Sequence, residues 1–289
     1  MHDAFHVVGI RPMPEKPLVK QPWYRGKPVW SMAVLGMLLL GCILCDWFIP
    51  ADPTFMDLYQ ANTPPCSQFW FGTDALGRDV FSMIWYGGRL SLLIGFGAAA
   101  LSTVLAIVIG AVSGLAPRWA DELIMRLTDI FLSIPSLLLL LFLQALFGKA
   151  NVWSITLVLG VTAWPQITKV VRTEVRQLRT SEHVTAARCM GAGFWRILWR
   201  HLTPNFMSGI MFMVVMNVRG AIVAESTLSF LGLGLPLETV TWGSMLSLAQ
   251  KALLSGQWWV ILIPGLYLVI TILCLTNIGN DLQGRANRR

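Results

Sequence analysis

The chain has 289 residues, 55% of them hydrophobic and 13% charged, where soluble chains carry about 25% charged residues. A mean hydropathy of +0.62 excludes a disordered chain and an ordinary soluble domain, and points to lipid as the main solvent. The net charge of +7 would permit a nucleic-acid partner, but in a membrane chain surplus Lys and Arg mark the cytoplasmic face, and no nucleic acid is expected.

From the N-terminus, residues 1–28 are polar and carry Pro12, Pro14, Pro17, Pro22 and Pro28. They predict a loose, extended cytoplasmic tail and not a signal peptide. Residues 29–289 then hold six apolar runs long enough for about 30 Å of hydrocarbon. They are Val29–Ile49, Leu90–Leu115, Leu127–Phe147, Ala150–Thr168, Phe206–Leu235 and Trp258–Asn280. Such runs must be helical, because lipid satisfies no backbone group. Cys42 and Cys45, two of five cysteines without framework spacing, lie in the first run as small helix residues; no disulfide scaffold is expected. Gly110 and Gly114 in the second run form a G-x-x-x-G face suited to close helix packing. Pro135 predicts a kink in the third run, and Pro165 and Pro264 predict similar bends in the fourth and sixth.

Six crossings put both termini on one side. With that side cytoplasmic, seventeen of the 22 Lys and Arg fall inside, four fall outside and Arg219 lies within a span. That asymmetry predicts cytoplasmic termini. Trp23, Trp30, Trp47, Trp70, Trp85, Trp153, Trp164, Trp242, Trp258 and Trp259 lie near predicted span ends, as an interfacial aromatic belt would.

Between the fourth and fifth runs lies a loop of about residues 169–205 with its own helix punctuation. Ser181 can cap a helix whose first turn carries Glu182, and Gly191 suits a left-handed C-terminal cap. Phe194 to Leu202 is amphipathic, and Thr203-Pro204 predicts an N-cap and first-turn proline opening the fifth span. A short capped helix on such a loop suits either the grip of a peripheral partner or a place on the membrane surface.

Three segments carry a resemblance. Thr185-Ala186-Ala187, then Gly191, then Leu202-Thr203-Pro204-Asn205 resembles the Glu-Ala-Ala loop of ABC importer permeases, with Thr185 where the family usually has Glu. Phe71-Gly72-Thr73-Asp74-Ala75-Leu76-Gly77-Arg78-Asp79-Val80-Phe81-Ser82 is similar to the stretch before the second span of peptide/nickel-type permeases. Glu225 to Gly234, followed by Trp242-Gly243-Ser244-Met245-Leu246, is similar to their fifth-span ending. Asn277-Ile278-Gly279-Asn280-Asp281 resembles the family's ending, with Asn280 in place of its acid. These matches run from about residue 70 to the C-terminus, and the chain resembles the second permease subunit of dipeptide, oligopeptide and nickel ABC importers.

The resemblance implies an all-α membrane protein with six transmembrane helices and type I ABC importer permease architecture, multi-pass in a bacterial inner membrane. It implies a heterodimer with a sister permease subunit, two ATP-binding subunits below and a periplasmic or extracellular solute-binding protein above. The loop helix would be the coupling helix, with Thr185, Ala186, Ala187, Met190 and Gly191 meeting the ATPase. Neither metal nor cofactor is implied in this chain; ATP would sit on the partner subunits, and the sequence has no G-x-x-x-x-G-K-[ST] to cradle it.

Arg219 and Glu225 are the only charges deep in the fifth span, and intramembrane charges are costly and usually functional. On a translocation path, Arg219 could meet a substrate carboxylate and Glu225 an amine or a metal; alternatively both bond within a subunit interface. Peptides are the expected cargo, with nickel or a metal–chelator complex as an alternative. A self-sufficient channel or secondary carrier would need coupling acids and inverted repeats, and no clear repeat is present. An intramembrane enzyme would need acid–base machinery, yet no H-E-x-x-H or G-x-S-x-G occurs and no span contains His.

Overall fold

The computed structural model describes residues 28–49, 52–148, 150–179, 181–236, 238–252 and 256–286. The expected tail over residues 1–28 lies outside them, apart from Pro28. The apolar runs close their own backbone hydrogen bonds as helices, the one solution open to a single segment in lipid. The helices of eight or more residues are α1 (Val29–Ile43), α2 (Val80–Leu115), α3 (Arg118–Ser133), α4 (Ser136–Phe147), α5 (Val152–Leu178), α6 (Glu182–Cys189), α7 (Thr203–Phe230), α8 (Trp242–Ala252) and α9 (Trp258–Ala286). Among the described residues the only extended pairing is an isolated antiparallel bridge between Thr73 and Asp79.

α2, α5, α7 from Gly209 and α9 as far as Gly284 are long and apolar enough to cross a membrane, and α3 with α4 makes a fifth crossing if the bent pair is one span. The predicted set of six differs at the first and third runs. The first run breaks at Leu44 (φ −92°, ψ 6°), leaving α1 at 15 residues, followed by a four-residue helix, Cys45–Phe48. A 15-residue helix rises only about 22 Å, short of the hydrocarbon thickness. In the third run the kink predicted at Pro135 is a break: α3 and α4 diverge by 93°. Proline cannot donate a helix bond and pushes the preceding residue out of the helical region, and Ile134 is accordingly extended at φ −82°, ψ 128°. Pro165 and Pro264, in contrast, lie inside α5 and α9, which run on through them.

Asp79 caps α2 by accepting from Phe81 N and Ser82 N, and Asn151 with Ser154 forms a reciprocal capping box on α5. α2 packs along α5 and α7, while α7 also packs on α8 and α9. The G-x-x-x-G face is where α2 meets α5. A Cβ on Gly110 would sit 2.9 Å from Thr168 O and 2.8 Å from Val171 Cβ, and one on Gly114 would sit 2.8 Å from Val175 Cγ1. Hydrogen there lets the two backbones touch.

Trp30, Trp47, Trp70, Trp153 and Trp258 are exposed, as belt residues should be, but Trp164, Trp242 and Trp259 are buried. Two of the buried indoles have found partners, as buried indoles usually do: Trp242 Nε1 donates to Ile84 O at 2.9 Å and Trp259 Nε1 to Thr73 O at 3.1 Å. The loop before α2 is itself a small knot. Asp74 accepts from Leu76 N and Arg78 N, both at 2.9 Å, and its other oxygen meets the buried Arg78 guanidinium at 2.7–2.8 Å.

Candidate functional site

The loop between α5 and α7 is shorter than the sequence predicts. α5 continues to Leu178 because Val171 and Val175 keep the helical spacing that buries one face. Arg172 and Arg176 are therefore helix residues. Thr203 is not an N-cap either: Phe194–Ile197 passes through a π-turn, Leu198–Leu202, directly into α7, with Pro204 in the first turn. Buried Ile197, Leu198, Leu202 and Phe206 hold that continuous stretch in place.

α6 stands where the sequence predicts a capped helix. Ser181 O accepts from Thr185 N at 3.0 Å, while its hydroxyl donates to Leu178 O at 2.6 Å. At the other end Gly191 takes φ +78°, and Ala192 N closes back to Ala187 O at 3.0 Å, the pattern of a glycine C-cap. The helix has two faces. Val184 and Ala187 (2% exposed) point inward, and Val184 joins the cluster built from Val171, Val175, Leu198 and Phe206. Thr185, Ala186, Met190 (80% exposed) and Gly191 point outward. Of the five residues implied in coupling, four thus form an outer surface of small and flexible apolar groups, and Ala187 anchors it.

Close to this helix lies a cluster that sequence reasoning missed. Asp121 of α3, 1% exposed, accepts from Arg172 Nε and Nη2 at 2.5 Å each, from Arg176 Nη2 at 2.6 Å and from Ser113 Oγ at 2.5 Å. Arg179 Nη1 donates to Gly114 O at 3.3 Å. The end of α2, the start of α3 and the end of α5 are thereby joined through one carboxylate.

Arg219 and Glu225 separate. Glu225 is fully buried: its Oε1 accepts from Ser229 Oγ at 2.9 Å and Thr241 Oγ1 at 2.8 Å, and its Oε2 from Ser226 Oγ at 3.5 Å. Gly243 belongs to the same clasp, and a Cβ there would come within 3.0 Å of Glu225 Oε1. The clasp folds the end of α7 onto α8, and Trp242 N then donates to Ser91 Oγ of α2 at 3.1 Å. Arg219 is half-buried and donates to Thr276 Oγ1 of α9 at 3.5 Å. No carboxylate lies within 4 Å of it among the described residues.

A cavity of about 520 Å³ opens at the break between α3 and α4, walled by α2, α5 and α7. From α7 it is lined by Asn217, Gly220, Ala221 and Ala224, and neither Arg219 nor Glu225 is part of its wall.

The long apolar helices place the chain among multi-span membrane proteins. Residues 106–289 match the family described as binding-protein-dependent transport system inner membrane component, and the chain belongs to that family. A Brucella suis protein that carries the name of a peptide permease is 37% identical over 256 residues, covering 88% of this chain and 84% of that one. The dipeptide transport system permease protein DppC of Bacillus subtilis is 34% identical over 253 residues, covering 88% and 79%. The oligopeptide transport system permease protein OppC of the same organism is 34% identical, covering 88% and 82%. A chain of the MetNI methionine ABC transporter in inward-facing form superposes with a TM-score of 0.55 at 18% identity, covering 71% of this chain and 96% of that one. This is the fold of an ABC importer permease.

Proposed function

We propose that this chain is one permease subunit of a peptide importer. It forms half of a translocation path that it encloses together with a sister permease, and both termini lie on the side where two ATP-binding subunits dock. A solute-binding protein delivers cargo from the opposite side. The chain itself needs no cofactor, since ATP is bound by the partners.

The observation that carries the coupling role is the two-faced geometry of α6. Its inner Val184 belongs to the core that starts α7 and ends α5, and Ala187 is buried on the same side, while Thr185, Ala186, Met190 and Gly191 face outward. A partner that moves this outer face moves α5 and α7 with it, because the stretch joining α6 to α7 is itself seated in the core through Ile197, Leu198 and Leu202. Thr185, replacing the usual Glu, offers the partner a hydroxyl in place of a charge. For cargo, the support is the naming of the relatives as peptide, dipeptide and oligopeptide permeases. Of the two charges in α7, Arg219 is the one left to meet cargo, since its bond to Thr276 is long and no acid among the described residues neutralises it. Glu225 is assigned to the clasp.

The test is cross-linking in the assembled importer. In a variant lacking the native cysteines, Ala186→Cys should join to an ATP-binding subunit, and the purified assembly should hydrolyse ATP. A homo-oligomer that carries cargo in liposomes without ATP, or a cysteine at 186 that labels only from the lipid, would overturn the assignment.

A further inference from the structure

The break in the third apolar run lies beside the middle of α5. α3 climbs along that helix pair by pair: Asp121 meets Arg172 and Arg176, Asp129 meets Lys169 at 2.6 Å, and Phe131 meets Trp164 with ring centroids 5.5 Å apart. Beyond the break, Leu140 of α4 packs with Ile155 and Val158, nearer the other end of α5. The cavity walls agree, since Ala98 to Ser102 are central in α2, Leu159 to Gln166 in α5 and Asn217 to Ala224 in α7.

Ending one helix and starting the next leaves last-turn carbonyls and first-turn amides without intrahelical partners. At membrane depth such backbone persists only in protein or against a wet cavity, and here the cavity is at the break itself. Six polar side chains line it: Ser102, Ser133, Ser136, Thr162, Gln166 and Asn217. Among the described residues no Asp, Glu, His, Cys, Lys or Arg lines it. Three of the hydroxyls already donate to helix carbonyls: Ser102 to Ala99 O, Ser133 to Ile130 O, and Thr162 to Val158 O and Leu159 O. A hydroxyl that donates this way keeps acceptor capacity, which Ser133 and Thr162 can offer to the space, whereas Ser102 is fully buried. Asn217 gives one N–H to Ser102 Oγ at 3.2 Å, which leaves its carbonyl and second N–H. Gln166, exposed into the space, supplies both kinds of group.

We propose that this cavity is a station for the backbone of the peptide in transit. Its acceptors suit peptide N–H groups and its carboxamides suit peptide carbonyls. Lacking fixed charge, it is indifferent to the cargo's side-chain charge, and without carboxylate, imidazole or thiolate among its described lining it offers nickel no strong ligand set. The inference rests on the peptide-importer reading above.

The assembled importer, with its sister permease, ATP-binding subunits and binding protein, is reconstituted in proteoliposomes as wild type, Gln166→Leu and Asn217→Leu. Assembly is checked by size-exclusion chromatography. Uptake is followed for radiolabelled trialanine, for tripeptides with a central aspartate or lysine, and for a nickel chelate. Loss of one buried hydrogen bond in transit corresponds to about a tenfold fall. Each assembled variant is therefore expected to take up all three tripeptides about tenfold more slowly, irrespective of charge. Gln166→Leu keeps the test open if Asn217→Leu fails to assemble, because Gln166 is exposed and its removal empties no packed position. Uptake by the assembled variants within about twofold of wild type, or a loss confined to charged tripeptides, overturns the station while leaving the importer reading intact. Wild-type uptake of the nickel chelate and of no tripeptide overturns the peptide-importer reading, and the station with it.

Discussion

Glu225 and Thr241 meet at 2.8 Å where the end of α7 turns back on α8, and the carboxylate has no exposed surface. The contact explains why glutamate, serines, threonine and glycine crowd the segments from Glu225 to Ser229 and Thr241 to Ser244. Glu225 joins the hydroxyls of Ser226, Ser229 and Thr241, and Gly243 leaves room for it.

Glu225→Gln keeps the size and most of the hydrogen bonding, and should cost about 1 kcal/mol. Glu225→Leu strands the Ser229 and Thr241 hydroxyls and should cost about 3 kcal/mol. Thermal unfolding of the detergent-solubilised assembly should rank wild type above Gln, and Gln well above Leu. Equal stability of the Leu variant would show that the clasp is dispensable.

Two adjacent alanines on α6 should behave differently. Ala186 faces out, so Ala186→Asp should leave stability within about 0.5 kcal/mol while abolishing uptake and ATP-binding-subunit recovery. Ala187 is anchored, so Ala187→Asp places a charge in a buried seat and should lower expression and stability by about 3 kcal/mol. Matched thermal scans and pull-downs separate a lost docking face from a lost fold.

Asp121→Asn leaves two guanidinium groups without their carboxylate. Breaking a fully buried pair costs roughly 3–5 kcal/mol. The side chains of Arg172 and Arg176 are 24% and 39% exposed, so water takes part of that loss and about 2 kcal/mol is expected. Denaturant or thermal titration should show this, and Ser113→Ala should show less, because it removes one donor and no charge.

Gly114→Ala drives a methyl against Val175 and Arg172 O. Overpacking of this kind costs about 1–3 kcal/mol, and here it also pries α2 from α5 beside the Asp121 cluster. Cysteine pairs placed across α2 and α5 should cross-link less efficiently in the variant; unchanged cross-linking would mean the seam is looser than the packing indicates.

Local signals carried far in this chain where a single residue type decided the outcome. Gly191 marked the end of α6, and Gly110 with Gly114 marked the α2–α5 seam, because absence of a side chain is legible without knowing the neighbour. Pro135 marked a discontinuity, although its size, 93°, depends on helices packed around it. Features that depend on partners distant in sequence were not legible. Asp121 finds Arg172 and Arg176 across 51 and 55 residues, and those arginines resemble loop charges until α5 is seen to extend beneath them. The inward face of α6 was equally hidden: eight residues with Val184 as the sole large apolar group define no stripe, so Ala186 and Ala187 look alike. Thr203-Pro204 has the local form of a helix start, but burial of Leu198 and Leu202 carries the helix through it.

The knot before α2 bears on how the protein is made. Its Thr73 carbonyl is met by Trp259 Nε1, 186 positions later in the chain. During synthesis the ribosome delivers the knot long before that indole exists, so this one bond forms only after α9 has begun. A chain interrupted before α9 keeps the local Asp74–Arg78 bonds but lacks the indole donor to Thr73 O. One hydrogen bond thereby makes the turn before α2 depend on a residue at the start of α9.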